Sequence, residues 1–323
     1  MNLYLYILIL IIAFFILSKS ADYFVSCAVN LAEIFKVPKL FIGIVLVAFA
    51  TTAPEFAVSV HSAYLGHPEI ALGNAVGSVI CNSALAMALA AIFSISPIAI
   101  DRRYLLIVGT FLLSIGVGSY FLSFDGLFSR GEGLSLVIIL FFYILFIFLS
   151  ELKRRKGATQ KADDQSQQRT PFYTIGKQLI IFILALGGVI FSSRLVVWSS
   201  INIARIFAVP ETIIALSAIA VGTSLPEIST CITAALKKQG DIAVGDIIGA
   251  NILNILWIIG VSTLVNPIEV EKGFIHFAFP WMLLITATML ISMRIKYQIG
   301  RPKGFILIAL YAVYLFMMVK IFY

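Results

Sequence analysis

Long runs of apolar residues recur along the whole chain, with short polar stretches between them. A helix needs about 20 mostly apolar residues to cross the hydrocarbon core of a bilayer, and these runs reach that length. The pattern therefore predicts an all-α membrane protein with ten transmembrane helices. The predicted helices lie near residues 3–34, 39–65, 70–95, 104–123, 133–151, 174–207, 211–237, 242–265, 275–293 and 304–322.

One polar, low-complexity stretch interrupts this pattern in the middle of the chain. It reads ELKRRKGATQKADDQSQQRTP and covers residues 151–171. Polar tracts of this composition are typical of mobile linkers. We therefore predict two five-helix units, residues 1–151 and 173–323, joined by a linker at residues 152–172.

Composition and charge agree with a membrane protein and indicate its orientation. The chain is 61% hydrophobic and 12% charged, about half the charged fraction of ordinary soluble domains. If the linker is cytoplasmic and each helix crosses once, 17 Lys and Arg residues lie on the cytoplasmic side and 4 outside. Such asymmetry is the positive-inside pattern. It predicts a cell-membrane protein with both termini outside. The net charge of +7 is then explained by topology, and we expect no nucleic-acid partner.

The two units are related by an internal repeat. When the chain is shifted by 172 residues, positions 38–85 match positions 210–257 at 13 of 48 places without a gap. The matches include Pro, Glu, Gly and Asn, which chance similarity between apolar helices does not supply. Because five helices is an odd number, the second unit enters the membrane inverted. Inverted repeats are a recurrent plan of secondary transporters, with the binding site at the repeat interface.

The most polar part of the repeat reads ATTAPEF at 50–56 and GTSLPEI at 222–228. A proline inside a helix removes a backbone hydrogen bond, so Pro54 and Pro226 are predicted to free carbonyls near residues 48–51 and 220–223. In hydrocarbon such carbonyls are tolerated only where protein, water or an ion meets them. The alternative is a plain proline kink that Ser or Thr hydroxyls satisfy.

The adjacent glutamates favour an ion over a plain kink. A charge in the middle of a membrane costs ~2.5–3.5 kcal/mol on insertion scales, and Glu55 and Glu227 carry that cost at matching places of the repeat. No Lys or Arg lies in the same helix cores to neutralise them. The pattern therefore predicts a cation or proton site.

The next predicted helix of each unit carries a second polar face, because its polar residues recur four apart. Asn82 and Asn254 are candidate ligands, or else the partners of interhelical hydrogen bonds. Asp246 is either a third carboxylate along the entry path or a charge at a helix end that faces water. The face consists of Asn74, Ser78 and Asn82 in the first unit and Asp246, Ala250 and Asn254 in the second.

These candidate ligands are all oxygen donors, which suit hard cations. Ca²⁺ takes six to eight oxygens at irregular angles, whereas Mg²⁺ demands a tight octahedron and keeps its waters. Hydroxyls and carbonyls also suit dehydrated Na⁺. The chain has no G-x-x-x-x-G-K-[ST] phosphate loop. We therefore expect transport that runs on an ion gradient, with no enzymatic activity and no cofactor.

The repeated motifs (A/G)-T-(S/T)-x-P-E and G-(N/D)-x-x-G-x-x-x-x-N resemble those of the sodium/calcium exchangers of the cation/calcium antiporter superfamily, most closely the prokaryotic members. The resemblance covers essentially the whole chain. It implies four cation subsites between the two central helix pairs, with Asn74 and Asp246 as further candidates. The residues that it assigns are the carboxylates of Glu55 and Glu227, the hydroxyls of Thr51, Thr52, Thr223 and Ser224, the carbonyls of Ala48 and Ala220, and the side chains of Ser78, Asn82 and Asn254.

Two departures from the family pattern bear on the site. Ala250 replaces the serine expected opposite Ser78, and Asn254 stands where some microbial relatives place aspartate.

The expected function is antiport of Ca²⁺ against Na⁺ by alternating access, within the lipid bilayer. The alternatives are Ca²⁺/H⁺ exchange and, from another class, a non-transporting scaffold or receptor; a K⁺ requirement stays open. Thr51 and Thr223 occupy the place where proton-coupled relatives usually carry asparagine, which favours Na⁺.

Overall fold

The computed structural model describes residues 3–35, 39–159, 172–206 and 220–322, and these are almost entirely helical. The all-α prediction is confirmed. The first unit contains α1 (Leu3–Ile34), α2 (39–51), α3 (Ala53–Tyr64), α4 (Pro68–Phe93), α5 (Arg102–Asp125) and α6 (Arg130–Thr159). The second contains α7 (Phe172–Ile206), α8 (Ala220–Thr223), α9 (Leu225–Leu236), α10 (Gly240–Val265), α11 (Phe274–Tyr297) and α12 (Arg301–Phe322).

Nine of the ten predicted crossings can be followed in the described part of the chain. Eight helices are long and apolar enough to cross a membrane by themselves, and α2 with α3 forms a ninth crossing that bends by 52°. The tenth predicted crossing, 211–237, contains α8 and α9. Its residues 211–219 lie outside the described residues. The predicted linker lies largely outside them too, and its boundaries stay a prediction.

Two short strand pairs in the connections show how the units are related. Ile98 lies opposite Ile299 in one pair, and Phe128 lies opposite Ile268 in the other. Each pair joins the two units, and exchanging the units turns one pair into the other. This twofold relation confirms the predicted inverted repeat, although the sequence did not predict the strands themselves. The strands are β1 (Ile98–Ala99), β2 (Leu127–Phe128), β3 (Ile268–Glu269) and β4 (Gln298–Ile299), with β1 antiparallel to β4 and β2 to β3.

The centre of the molecule is formed by α4 and α10. In the most apolar 18-residue stretch of α4, 72% of the residues are buried, and in that of α10, 94% are buried. The same fraction is at most 39% in the other helices that are long enough to cross by themselves. A Cβ added to Gly249 would lie 2.6 Å from the Ile44 carbonyl oxygen, and one added to Gly43 would lie 2.8 Å from the Ile242 carbonyl oxygen. Helices α2 and α10 therefore cross with their backbones in contact, as glycine permits.

Helices α1, α6 and α7 expose many large apolar side chains and belong to the lipid-facing layer. Helices α1 and α7 pack along one another and contain 32 and 35 residues. Since about 20 residues span a bilayer, both are long enough to cross it at a tilt. Helix α6 exposes Phe141, Phe142 and Phe146. Large exposed apolar side chains in such numbers fit contact with lipid rather than with water.

Candidate functional site: a buried oxygen-rich centre

The second and seventh predicted crossings break at equivalent residues. Thr52 has φ −76° and ψ −2°, and Ser224, 172 positions later, has φ −83° and ψ 5°. We call residues 172 positions apart mates. Both lie near the bridge region of the Ramachandran plot, which is sparsely populated and recurs at active sites. The two breaks place the ends of four short helices at the centre of the protein.

The break corrects the predicted role of the prolines. Pro54 and Pro226 lie in the first turn of α3 and α9, not inside continuous helices. A first-turn proline costs little because its missing N–H would have no partner there. The Ala48 carbonyl accepts the Thr52 N–H at 2.9 Å and lies 3.3 Å from Thr51 Oγ1. Within the predicted range 48–51, the Ala48 carbonyl is therefore not left free by Pro54.

Both glutamates stand three residues after a helix N-cap, where the pattern S/T-x-x-E often forms a capping box. A capping glutamate accepts the backbone N–H of the N-cap residue. Here both oxygens of Glu55 and one of Glu227 have no hydrogen-bond partner among the described residues, although both side chains are fully buried. The carboxylates are therefore not used for capping. They lie beside the positive ends of short helices, which stabilise negative charge.

Several neighbouring polar side chains are unsatisfied as well. Neither the nitrogen nor the oxygen of the Asn82 and Asn254 amides has a partner in the described part of the structure, so the alternative of an interhelical hydrogen bond is wrong for both. A buried polar group without a partner costs about 1–3 kcal/mol, and native proteins contain few of them. The hydroxyls of Ser78, Ser224 and Thr230 are likewise buried and have no partner within the described ranges.

Hydrogen bonds between the units bring these residues together. Thr51 Oγ1 donates to Asp246 Oδ1 at 3.0 Å, and its mate Thr223 donates to Asn74 Oδ1 at 3.1 Å. Thr52 Oγ1 lies 3.3 Å from Glu227 Oε1. Each bond joins a broken helix of one unit to a helix of the other. The site is therefore the place where the two units meet.

Asp246 lies inside this centre. It is fully buried in α10, and its second oxygen accepts a hydrogen bond from Cys231 Sγ at 3.5 Å. The alternative that placed it at a helix end facing water is wrong. It also interacts electrostatically with Glu55, as does Glu227. The centre thus combines three carboxyl groups.

The helices that carry the asparagines change their winding at these residues. Segments Asn82–Ala86 and Asn254–Ile258 are π-helical, and the Met87 N–H bonds to the Asn82 carbonyl. Insertions of this kind are frequent at functional sites. Of the other predicted site residues, Ser78 is buried on the same face of α4, its mate Ala250 is buried in α10, and Ala220 begins the described part of α8.

Sequence reasoning missed several polar neighbours of the centre. Ser59 accepts the Asn74 amide at 2.9 Å, and its position one turn after Glu55 could have identified it. Asn251 donates to Ser83 at 2.8 Å. The repeat gave no signal for Asn251, because its mate is a valine.

The donor set suits hard cations. Within the described ranges no group of three or more His, Cys, Asp or Glu side chains is close enough to hold a metal ion. A cation here would therefore take most of its ligands from hydroxyl and amide oxygens, with carboxylates supplying charge. Mixed oxygen shells of this kind accommodate the large, irregular coordination of Ca²⁺.

Inverted helical units around a buried, oxygen-rich centre define a class, the secondary transporters of cations. The profile of the family described as "Sodium/calcium exchanger protein" matches residues 5–149 and 177–320. The chain belongs to this family, and it is a cation/calcium antiporter of the cell's membranes rather than an enzyme. The family predicted from the repeated motifs is confirmed.

Full-length relatives and solved structures agree with that assignment. The chain is 33% identical to "Inner membrane protein YrbG" of Escherichia coli, over 96% of this chain and 95% of the relative. It is 28% identical to "Sodium/calcium exchanger MaX1" of Methanosarcina acetivorans, over 95% and 97%. A structure of the sodium-calcium exchanger NCX_Mj, soaked with 10 mM Na⁺ and zero Ca²⁺, matches with a TM-score of 0.82 at 26% identity, covering 97% of this chain and 98% of that one.

Proposed function

We propose that the protein exchanges Ca²⁺ for Na⁺ by alternating access around the buried centre. The observation that carries the proposal is the concentration there of oxygens that have no partner among the described residues, contributed by both units. Cations that lose their hydration shell need such oxygens, and an inverted repeat provides two related conformations that open the same site to opposite sides. A scaffold or receptor would gain nothing from leaving these groups unsatisfied.

The proposed ligands come from both broken helices and from both central helices. The carboxylates neutralise the cation, while hydroxyls and amides replace its water. The C-terminal ends of α2 and α8 also face the centre and favour positive charge there. The proposed set is Glu55, Glu227, Thr51, Thr52, Thr223, Ser224, Ser78, Asn82, Asn254 and the carbonyls of Ala48 and Ala220. The Ala48 oxygen accepts the Thr52 N–H and would ligate the cation through its second lone pair.

Na⁺ is the proposed counter-ion because of the two threonine mates. The hydroxyl of Thr51 donates to Asp246, and that of Thr223 donates to Asn74. A hydroxyl oxygen can ligate Na⁺ but takes no part in proton storage at neutral pH. Proton coupling would instead have to rest on the carboxyl groups alone.

The orientation proposed is with the linker in the cytoplasm and the termini outside. The connections at the two strand pairs differ in charge, since basic residues surround β1 and β4 whereas acidic residues accompany β2 and β3. A cytoplasmic excess of Lys and Arg is the positive-inside pattern. The residues concerned are Arg102, Arg103, Arg294, Lys296, Arg301 and Lys303 with Asp101 at one end, and Asp125, Glu132, Glu269 and Glu271 with Arg130 and Lys272 at the other.

Ca²⁺ uptake into proteoliposomes tests the ion couple. We expect an outward Na⁺ gradient to drive ⁴⁵Ca²⁺ uptake, and a protonophore that collapses ΔpH to leave this uptake unchanged. A second set of vesicles carries an imposed ΔpH without Na⁺ and should show no uptake. Uptake that follows ΔpH and does not depend on Na⁺ would assign the protein to Ca²⁺/H⁺ exchange instead. Repeating the Na⁺-driven assay with and without K⁺ shows whether K⁺ is required.

A further inference from the structure

Asn74 and Asp246, which are mates, make corresponding contacts with a threonine of the opposite unit. Thr223 donates to Asn74 Oδ1 at 3.1 Å, as Thr51 donates to Asp246 Oδ1 at 3.0 Å. On its other side each residue meets a second pair of mates. Asn74 Nδ2 donates to Ser59 at 2.9 Å, and Cys231 donates to Asp246 Oδ2 at 3.5 Å. Asn74 Nδ2 also lies 3.3 Å from the Glu55 carbonyl oxygen. The two environments therefore differ in one formal charge and in this donated bond.

Hydrogen bonding alone does not explain why the second unit has a carboxyl group here. Asn74 accepts the threonine hydroxyl of the opposite unit equally well, and burying an amide costs less than burying a charge. One oxygen of Asp246 accepts the Thr51 hydroxyl, and the other lies 3.5 Å from the Cys231 thiol, which lies equally far from the Ala243 carbonyl oxygen. The charge itself is the feature that needs a function.

We propose that Asp246 is a positioning residue that makes the centre selective for divalent cations. It fixes the Thr51 hydroxyl as a donor, so that the lone pairs of Thr51 face the cation, and it adds a third negative charge to those of Glu55 and Glu227. This inference rests on the proposed function, because it assumes that a cation occupies the centre. It assigns no direct contact between Asp246 and the ion.

The charge acts differently on the two transported ions. Coulomb attraction is proportional to the charge of the ion, so that a divalent ion at the same place gains twice the attraction of a monovalent one. Removing the charge should therefore multiply the dissociation constant for Na⁺ by about the square root of the factor for Ca²⁺. We expect the half-saturating Ca²⁺ concentration to rise at least about tenfold and that for Na⁺ about threefold. A structural defect would not follow this relation.

The repeat itself supplies the matched variant. Asp246→Asn with Cys231→Ser copies the Asn74–Ser59 pair, which the first unit already accommodates, into the second. Asp241→Asn is the control: it removes one carboxylate from the exposed start of the same helix and should change neither ion's half-saturation more than about twofold, because exposed charges are screened. Asp246→Asn alone and Asp246→Glu complete the set, and the glutamate variant should restore part of the Ca²⁺ affinity.

The experiment measures exchange in proteoliposomes over a range of Ca²⁺ at fixed Na⁺, and over a range of Na⁺ at fixed Ca²⁺. A folded Asp246→Asn/Cys231→Ser protein with half-saturating Ca²⁺ within threefold of wild type would overturn the proposal, and so would equal factors for the two ions. If both asparagine variants fail to fold, Asp246 serves folding and the proposal fails too.

A double-mutant cycle tests whether Asp246 acts through Thr51. If it does, Thr51→Val should weaken Ca²⁺ activation less in the Asp246→Asn background than in wild type; additive effects would remove the positioning role. Failure of this inference is separable from failure of the proposed function. The proposed function fails if Ca²⁺ exchange survives Glu55→Gln and Glu227→Gln, and this result does not depend on the effect of Asp246→Asn.

Discussion

Replacing each central glutamate by glutamine tests whether its carboxylate binds the cation or only stabilises the fold. Glu55→Gln and Glu227→Gln keep the side-chain volume and one carbonyl oxygen but delete the charge. Neither oxygen of Glu55 has a hydrogen-bond partner among the described residues, so glutamine breaks no bond there. At Glu227 the oxygen that meets Thr52 can be the one that glutamine retains. Both substitutions therefore change charge with little change in contacts.

The ion-free stability of the variants should stay close to wild type. Removing a buried charge relieves ~2.5–3.5 kcal/mol on insertion scales, while an unpartnered amide N–H costs ~1–3 kcal/mol. The two effects nearly cancel, with a small advantage for glutamine. A brace that carried the fold would give the opposite result, because its loss would lower the melting temperature without Ca²⁺.

Ca²⁺ binding should fall steeply in the same variants. Two unit charges 4 Å apart interact by ~4 kcal/mol at an effective dielectric constant of about 20. Even if desolvation offsets more than half of the attraction for a divalent ion, ~3–4 kcal/mol is lost, or a factor of about 10² to 10³ in affinity. At a Ca²⁺ concentration 100 times the wild-type dissociation constant, Ca²⁺ stabilises wild type by ~2.7 kcal/mol, but a variant weakened 100-fold by only ~0.4 kcal/mol.

Thermal melts with and without Ca²⁺, alongside ⁴⁵Ca²⁺ exchange in proteoliposomes, check these values. We expect Ca²⁺ to raise the melting temperature of wild type but hardly that of either variant, and exchange to be abolished in both. Glu69→Gln is the matched control, since Glu69 is an exposed glutamate in the first turn of α4; it should behave as wild type. A well-folded Glu55→Gln or Glu227→Gln protein that exchanges Ca²⁺ at a near wild-type rate would refute the assignment of that residue.

Two further predictions concern topology and packing. A cysteine at Gln165, in the predicted linker, should react with a membrane-impermeant thiol reagent only from the cytoplasmic side; labelling in intact cells would reverse the proposed orientation. Gly249→Ala should destabilise the protein by about 1–3 kcal/mol in a thermal melt, because the added Cβ would lie 2.6 Å from the Ile44 carbonyl oxygen. Gly118→Ala, which meets nothing within 4 Å, should be neutral or slightly stabilising, and similar losses at both positions would contradict the packing argument.

Much of the fold could be predicted because it depends on strong sequence signals. Helices that cross a membrane must be long and apolar, and the two copies of the repeat keep the same polar residues at matching places. The mates Glu55 and Glu227 were found for this reason, and both are buried at the unit interface. The opposite direction of the units followed from an odd helix count alone.

Other features could not be predicted because they depend on how the units pack. The sequence does not distinguish a proline inside a helix from a proline in the first turn of a helix. The break at Thr52 therefore became visible only in the backbone dihedral angles. The strand pairs consist of two residues each, too few for a periodic signal. The burial of Asp246 depends on Gly43 and Gly249, which bring α2 against α10.

The way in which the units differ says more about the mechanism than the way in which they agree. Two identical halves would bind the ion with the same affinity from either side, and the mates Thr51 and Thr223, or Glu55 and Glu227, preserve that equivalence. Asn74 and Asp246 break this equivalence, although each accepts the hydroxyl of a threonine from the opposite unit. If the protein works by alternating access as proposed, a movement of α2 relative to α10 that breaks the Thr51–Asp246 hydrogen bond changes the distance between this charge and an ion that Thr51 ligates. The neutral pair of Asn74 and Thr223 undergoes the equivalent movement without that electrostatic change, so the outward-open and inward-open states need not bind Ca²⁺ equally tightly.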